Sequence, residues 1–195
     1  MATTRKPHTD SRQPQVLDAA ARLFRTQGFG GTSVRDIARA VGMLPGSLYC
    51  HFATKEELLT AVYLKGVEQI STAVQTVVDK HIDPWDRLEA ACVAHLESIL
   101  RDDDYAQVVI RVHPADVPVA NQSLIDLRNR YEALFIALVK ALPLRSGTDR
   151  RSFRLLLIGA LNSSQIWYRA SGKDTPRAIA HKFIALLRQG QETST

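Results

Sequence analysis

An all-α fold of nine helices is what this sequence predicts, and three observations predict it. Apolar residues recur at intervals of three and four along most of the chain, glycines and prolines punctuate those stripes where helices begin or end, and no stretch alternates convincingly with the period of two that a half-buried strand requires. Val16, Leu17, Ala20, Leu23 and Phe24 lie on one stripe of the first helix. Gly28 closes it, because glycine adopts the left-handed conformation of a helix end, and Phe29 follows as the apolar contact of that cap. Thr32 or Ser33 caps a short second helix with Asp36 in its first turn, Ile37, Ala38 and Val41 inside and Gly42 as its stop. Pro45 opens the third, which runs through Phe52 with Leu48 and Phe52 facing inward.

Thr54 and Glu57 form a capping box for a long fourth helix reaching about Lys80. Asp83 and Pro84 start the fifth, with Leu88, Ala91, Cys92, Leu96 and Ile99 inside, and three aspartates from Asp102 interrupt the chain after it. A short sixth helix spans about 106–113 and ends at Pro114, and a long seventh carries Leu124, Leu127, Tyr131, Leu134, Phe135, Leu138 and Leu142. Thr148 or Asp149 begins the eighth, through Phe153, Leu157, Leu161 and Trp167 to the neighbourhood of Gly172. Thr175 and Pro176 begin the last, through Ile179, Phe183 and Leu187.

The charge is concentrated at one end. Up to Thr54 seven basic side chains face three acidic ones, whereas beyond it 18 basic residues nearly cancel 17 acidic ones. A polyanion is drawn to the first quarter, although a merely solvated basic face would carry the same charge. Two cysteines, Cys50 and Cys92, are too few for a disulfide framework and fit the reducing cytoplasm. The N-terminus lacks an apolar signal segment, and the longest strongly apolar run, Leu155 to Leu161, is too short for a bilayer, so neither export nor membrane insertion is expected.

Two short helices joined by a turn at Gly42–Leu44 and packed on a longer first helix have the dimensions of a helix-turn-helix. The chain therefore divides into a DNA-binding domain, residues 1–54, and a larger helical domain, residues 55–195, that share the fourth helix without a flexible linker. In this geometry the third helix enters the major groove of double-stranded DNA, where base edges are distinguishable. Ser47 is placed to bond a base edge or phosphate, and Tyr49 and His51 to bond phosphates. Lys55 adds a charged backbone contact, Arg35 strengthens an anion clamp at the start of the second helix, and amides at Ser33, Val34, Gly46 and Ser47 point to phosphate with favourable dipole sign. Arg5, Lys6 and Arg12 form a candidate basic arm, the weaker of these assignments.

The segment Thr32, Ser33, Val34, Arg35, Asp36, Ile37, Ala38 through Gly42, then Gly46, Ser47, Leu48, Tyr49, Cys50, His51, Phe52 and Lys55 to Leu58, resembles the TetR family of bacterial regulators. The motif covers about residues 11–65, and the remainder resembles the family in its all-helical architecture. The resemblance implies a homodimer formed by the last two helices, an inducer bound among the central ones, and usually repression. Cys50 departs from the aromatic or polar residue common at its place, which puts a DNA contact there in doubt; as a redox sensor it lacks any neighbour that lowers its pKa.

His95, Tyr105, Arg111, Asn162, Gln165 and Trp167 are the candidate effector ligands, polar and aromatic residues amid apolar stripes, as Trp85 and His113 also are. Any one of them fits core packing or an interface as well; together they suit a small molecule with an apolar body and one polar end. Trp167, Tyr168 and Arg169 resemble a feature of family members that sense acyl-CoA thioesters. Phe153, Leu156, Leu157, Leu161, Ile179, Phe183 and Leu187 offer more apolar surface than one helix pair buries, as a two-fold interface requires. No nucleophile elbow, phosphate loop or paired histidines at metal spacing occur, so no cofactor, no metal and no enzymatic activity are expected. The competing readings are an activator and a DNA-binding protein that does not read sequence.

Overall fold

The computed structural model describes residues 12–191, and among them it contains nine α-helices and no strand. The order is α1 (Gln13–Gly31), α2 (Val34–Ala40), α3 (Pro45–Tyr49), α4 (Lys55–Val78), α5 (Pro84–Ile99), α6 (Asp104–Arg111), a single 3-10 turn (Pro114–Asp116), α7 (Asn121–Ala141), α8 (Arg150–Trp167) and α9 (Pro176–Gln189). Arg5 and Lys6 of the basic arm lie outside the described residues.

Most helix starts are fixed by a side-chain cap that the sequence announces. Ser33, Thr54, Asp83, Asp103, Asp149 and Thr175 each accept hydrogen bonds from amides of the first turn that follows them, where no helical carbonyl is available. At α4 the Thr54 hydroxyl accepts from the Glu57 amide at 3.0 Å, but the Glu57 carboxylate returns its bond to the amide of Ala53, at 2.7 Å. The capping box anticipated there thus reaches one residue further back.

Several boundaries differ from the sequence reading, and the end of α8 comes at Trp167 rather than near Gly172. Gly28 does leave the helical conformation, with φ 75° and ψ 164°, yet the chain makes a further turn to Gly31 before it leaves α1. α3 stops at Tyr49 rather than Phe52; His51 and Phe52 instead donate their amides to the Leu48 carbonyl in a closing turn. Phe52 still packs inward with Leu48, because a turn as well as a helix can return the chain to the same face. α6 begins two residues early, at Asp104, since Asp103 in the polar break is its cap.

Two apolar clusters fill the interior, and α4 runs through both. The first joins α1, α2 and α3 to the first half of α4, but it also takes in Tyr105 and Val108 from α6, Val112 just after it, and Leu124 and Leu127 from α7. The second holds the far half of α4 against α5, α7, α8 and α9. Where α6 crosses α4 the backbones nearly touch: a Cβ added at Gly66 would stand 2.6 Å from Val109 Cγ2 and 2.8 Å from the Tyr105 carbonyl oxygen. Only glycine allows that approach.

Candidate nucleic-acid interface and effector cavity

The second and third helices present an outward face supported by a sealed inner one. Ile37, Ala38 and Leu48 are buried, while Arg35, Arg39, Gly46, Ser47, Tyr49 and Cys50 are exposed, Tyr49 to 53%. Pro45 and His51 are half-buried at the margins of this face. An exposed tyrosine of this size beside exposed arginines, on a helix whose buried residues fix its orientation, suits a phosphate backbone more than an apolar core. Cys50 turns its thiol back along the helix toward the Gly46 carbonyl, at 3.5 Å.

Several of the residues singled out from sequence are held differently. Ser33, not Thr32, caps α2: its hydroxyl accepts from the Asp36 amide at 3.2 Å and its own amide donates to the Asp36 carboxylate at 3.1 Å. That reciprocal pair holds the Asp36 carboxyl below its usual range, first through the Ser33 side chain and then through the Ser33 amide. Thr32 is only 2% exposed and spends its hydroxyl on the Gly28 and Leu23 carbonyls, at 2.8 and 3.2 Å. Of the four amides assigned to phosphate, that of Ser33 is engaged by Asp36 and that of Ser47 by the Leu44 carbonyl at 3.0 Å.

Lys55 is the largest departure. Its ammonium donates to the Phe29 and Thr32 carbonyls, at 2.8 and 3.0 Å, and lies 4.1 Å from the centre of the Phe29 ring. The last carbonyls of α1 carry the negative end of the helix dipole, so a cation from α4 is drawn there. Sequence spacing could not show that α1 ends beside the start of α4.

Farther along, a cavity of about 180 Å3 opens between α4, α5, α6, α7 and α8. His95, Asn162 and Gln165 line it, as anticipated, together with Tyr63, Tyr131, Arg128 and Glu132, which sequence reading had either counted as core or passed over. His95 is 4% exposed. Its Nε2 lies 3.0 Å from Asn162 Oδ1 and its Nδ1 2.5 Å from the Tyr131 hydroxyl. An amide oxygen only accepts, so Nε2 carries the proton, and the Tyr131 hydroxyl donates to Nδ1. Burial pushes the His95 pKa down to about 4, against a small opposing pull from Asn162, and burial likewise pushes the Tyr63 hydroxyl up to about 12. The polar end of this cavity is therefore a neutral hydrogen-bonding chain. Charge is confined to Arg128 and to Glu132, whose carboxylate is held by Arg154 at 2.5 Å.

The other three candidate ligands do not line this cavity. Arg111 is exposed at the end of α6. Trp167 is 49% exposed and packs edge-on against Phe183, with centroids 6.5 Å apart. Tyr105 faces the opposite way, into the contact of α6 with α1: its hydroxyl donates to Asp18 at 2.5 Å and accepts from Lys65 at 2.8 Å. The Asp18 carboxyl is lowered mainly by that tyrosine, and the Tyr105 hydroxyl is raised by burial and then by Asp18. Beside this triad Arg25 of α1 pairs with Asp104, at 2.8 Å, and with Asp102. α6 thus carries Val109 and Ile110 into the cavity and Tyr105 and Asp104 onto α1.

A basic helix-turn-helix with a buried inner face, joined through a shared helix to a cavity with an apolar wall and a polar end, defines a DNA-binding regulator that answers to a small molecule. The chain belongs to the TetR family: the profile of bacterial regulatory proteins of the tetR family matches residues 16–62, and that of the tetracyclin repressor-like C-terminal domain matches residues 81–191. It is 30% identical over 189 residues to the HTH-type transcriptional repressor KstR2 of Mycobacterium tuberculosis, covering 93% of both chains. To KstR2 of Rhodococcus jostii it is 29% identical, over 92% of this chain and 90% of that one. Among solved structures, superantigen PfiT aligns with TM-score 0.78 and 29% identity over 93% of this chain and 97% of that one. AibR in complex with isovaleryl coenzyme A and operator DNA aligns with TM-score 0.75 and 21% identity, over 90% and 97% of the two chains. FadR from Bacillus subtilis in complex with stearoyl-CoA aligns with TM-score 0.77 and 19% identity, over 92% and 99%. These last two show the fold alone. No helix among the described residues is long and apolar enough to cross a membrane.

Proposed function

We propose that this regulator is a cytoplasmic repressor that binds a roughly palindromic operator as a homodimer and releases it when an acyl-CoA thioester enters the cavity around His95. One observation carries the release: α6 lines the cavity with Val109 and Ile110 while its Tyr105 and Asp104 hold α1. A ligand that shifts α6 relative to α4 alters the seating of α1, and with it the angle at which α3 is offered to DNA. Residues 1–54 act as the DNA-binding domain and residues 55–195 as the effector and dimerisation domain, with α4 common to both.

A thioester suits the polar end of the cavity better than a free acid does. The His95–Asn162 pair is neutral, so an uncharged carbonyl oxygen is accommodated there without the cost of desolvating a carboxylate. Arg128, at the rim, is placed for the anionic part of the coenzyme. The repressor names of the KstR2 relatives and the acyl-CoA ligands of AibR and FadR support the same reading.

On the DNA side, Arg35, Gly46, Ser47 and Tyr49 form the contact face, with Pro45 and His51 at its margins and Ser33 fixing the entry of α2. Thr32 and Lys55 serve the fold beneath it. Dimerisation is assigned to α8 and α9, which leave Leu155, Leu156, Ile166, Trp167 and Leu186 exposed.

Selection of binding sites from random duplexes, followed by release assays with acyl-CoA thioesters and the matching free acids, tests this reading. A single palindromic site preferred over bulk DNA by about a thousandfold or more, and released by a thioester, is expected. Ser47→Ala should change the selected sequence. A regulator that selects no site, or that a free acid releases as well as its thioester, would contradict the proposal.

A further inference from the structure

A second cavity, of about 320 Å3, lies at the far end of α4 between α5 and α7 and shares no lining residue with the one around His95. Val78, Leu134 and Leu138 form its apolar floor, with Ala133, Ala137 and Ala141 following one another at every fourth position along the α7 wall. That spacing places the three methyl groups in one row on a helix. Ile82, 96% exposed in the α4–α5 connection, stands at the rim. With the alanine row and the Leu134–Leu138 floor it makes the mouth of the cleft a contiguous apolar surface.

Arg87 is the only charged residue among the described ones lining the cavity. Its Nε is shielded from solvent and has no hydrogen-bond partner among the described residues, and its guanidinium forms no ion pair with them. A nitrogen shielded from solvent is also shielded from an occupant of the open cleft, so an anion there is met by the remainder of the Arg87 guanidinium, which no carboxylate among the described residues pairs. Asp83, one turn earlier on the same helix, accepts the amides of Trp85 and Asp86 as the cap of α5.

We propose that this cleft is a binding site for a medium-chain monocarboxylate, with the aliphatic chain lying along the alanine row and the carboxylate on the Arg87 guanidinium. A planar guanidinium matches a carboxylate in two parallel hydrogen bonds, which selects a carboxylate over an alcohol or an amine of equal length. The site is separate from the effector cavity, where the charged end of a free acid is disfavoured, so one chain would distinguish the free acid from its thioester by where each binds.

Calorimetric titration of the full chain with octanoate, octan-1-ol and octylammonium tests the assignment. Octanoate should bind most tightly. Arg87→Gln should weaken octanoate about tenfold or more and leave octan-1-ol nearly unchanged. Ala137→Trp, which fills the cleft from an exposed position, should abolish octanoate binding, and Ala133→Trp provides the same test at a second place should the first variant not fold. Asn162→Leu, in the other cavity, should leave octanoate affinity unaltered. Absence of octanoate binding in the millimolar range, its survival in a folded tryptophan variant, its loss in Asn162→Leu, or an equal effect of Arg87→Gln on acid and alcohol would each overturn the proposal.

Discussion

Lys55 of α4 closes the end of α1 by donating to the Phe29 carbonyl at 2.8 Å while its ammonium rests 4.1 Å from the centre of the Phe29 ring. One side chain thereby satisfies a helix terminus, supplies a cation over an aromatic face and ties the first helix to the fourth. Lys55→Met keeps the aliphatic stem and removes the charge. It should lower stability by about 1–3 kcal/mol in denaturant unfolding, as loss of charge-assisted bonds to carbonyls does. The salt slope of DNA binding should stay the same, whereas a slope reduced by about one would restore Lys55 to the phosphate contacts.

Arg35 is the contrasting case, exposed at the start of α2. Arg35→Ala should weaken binding to every duplex sequence and reduce the slope of log affinity against log salt by about one, with unfolding free energy unchanged within about 0.5 kcal/mol. Fluorescence anisotropy over a range of salt concentrations measures both the affinity and the slope.

His95 makes stability depend on pH. Its folded pKa of about 4 lies below the ordinary 6.5, so between these values the unfolded chain binds a proton that the native chain refuses. Stability should therefore fall as pH drops from about 6.5 toward 4, by up to about 1.4 kcal/mol per pH unit from this group. His95→Gln removes the titration, and urea unfolding curves at pH 5 and pH 7 should lie closer together in the variant than in the parent chain. Equal separation would show that His95 is not held neutral.

Gly66 tests the crossing of α6 over α4. Gly66→Ala places a Cβ against both Val109 Cγ2 and the Tyr105 carbonyl, and should cost about 1–3 kcal/mol by overpacking. Adding Val109→Ala relieves the first clash and not the second, because a backbone oxygen cannot be trimmed. Only partial recovery in thermal unfolding is expected, and the single variant should also change effector-dependent release, since α6 carries both the cavity wall and the α1 contact.

The dimer assignment is checked by Leu156→Glu together with Leu186→Glu, each at an exposed apolar position. Sedimentation should show a monomer that retains its helical content, and operator affinity should fall steeply because one recognition helix alone reads a half-site. A dimer that persists in the double variant moves the interface elsewhere.

Much of this was legible from local chemistry. Ser33, Asp83 and Thr175 are side chains whose oxygens reach the amides just ahead of them in the chain, so the caps they form could be read off without a fold. The inward face of Leu48 follows from periodicity in the same way, whereas Phe153, Leu157, Leu161 and Ile179, which the sequence offers to a two-fold interface, are buried in the chain's own core against α5 and α7. The boundary of α1 was less exact, because whether a chain leaves a helix at Gly28 or a turn later depends on what meets it there, and what meets it is Lys55 from another helix.

The effector residues show the limit more sharply. His95, Asn162 and Gln165 lie on α5 and α8 and converge on one cavity, whereas Tyr105, alike in chemistry, points to Asp18 on the other side of α6. Tyr131 was read as one more residue of an apolar stripe, and its stripe does face the core; that its hydroxyl meets His95 depends on the angle between α5 and α7. The sequence by itself determined the nine helices among the described residues, several of their caps and the exposed face of the third helix, since these rest on interactions within a few residues. Only the tertiary structure decided which polar side chains share a cavity and that the Lys55 ammonium meets the carbonyls ending α1, because those outcomes depend on how helices distant in the chain cross, and periodicity along one helix carries no record of its neighbours.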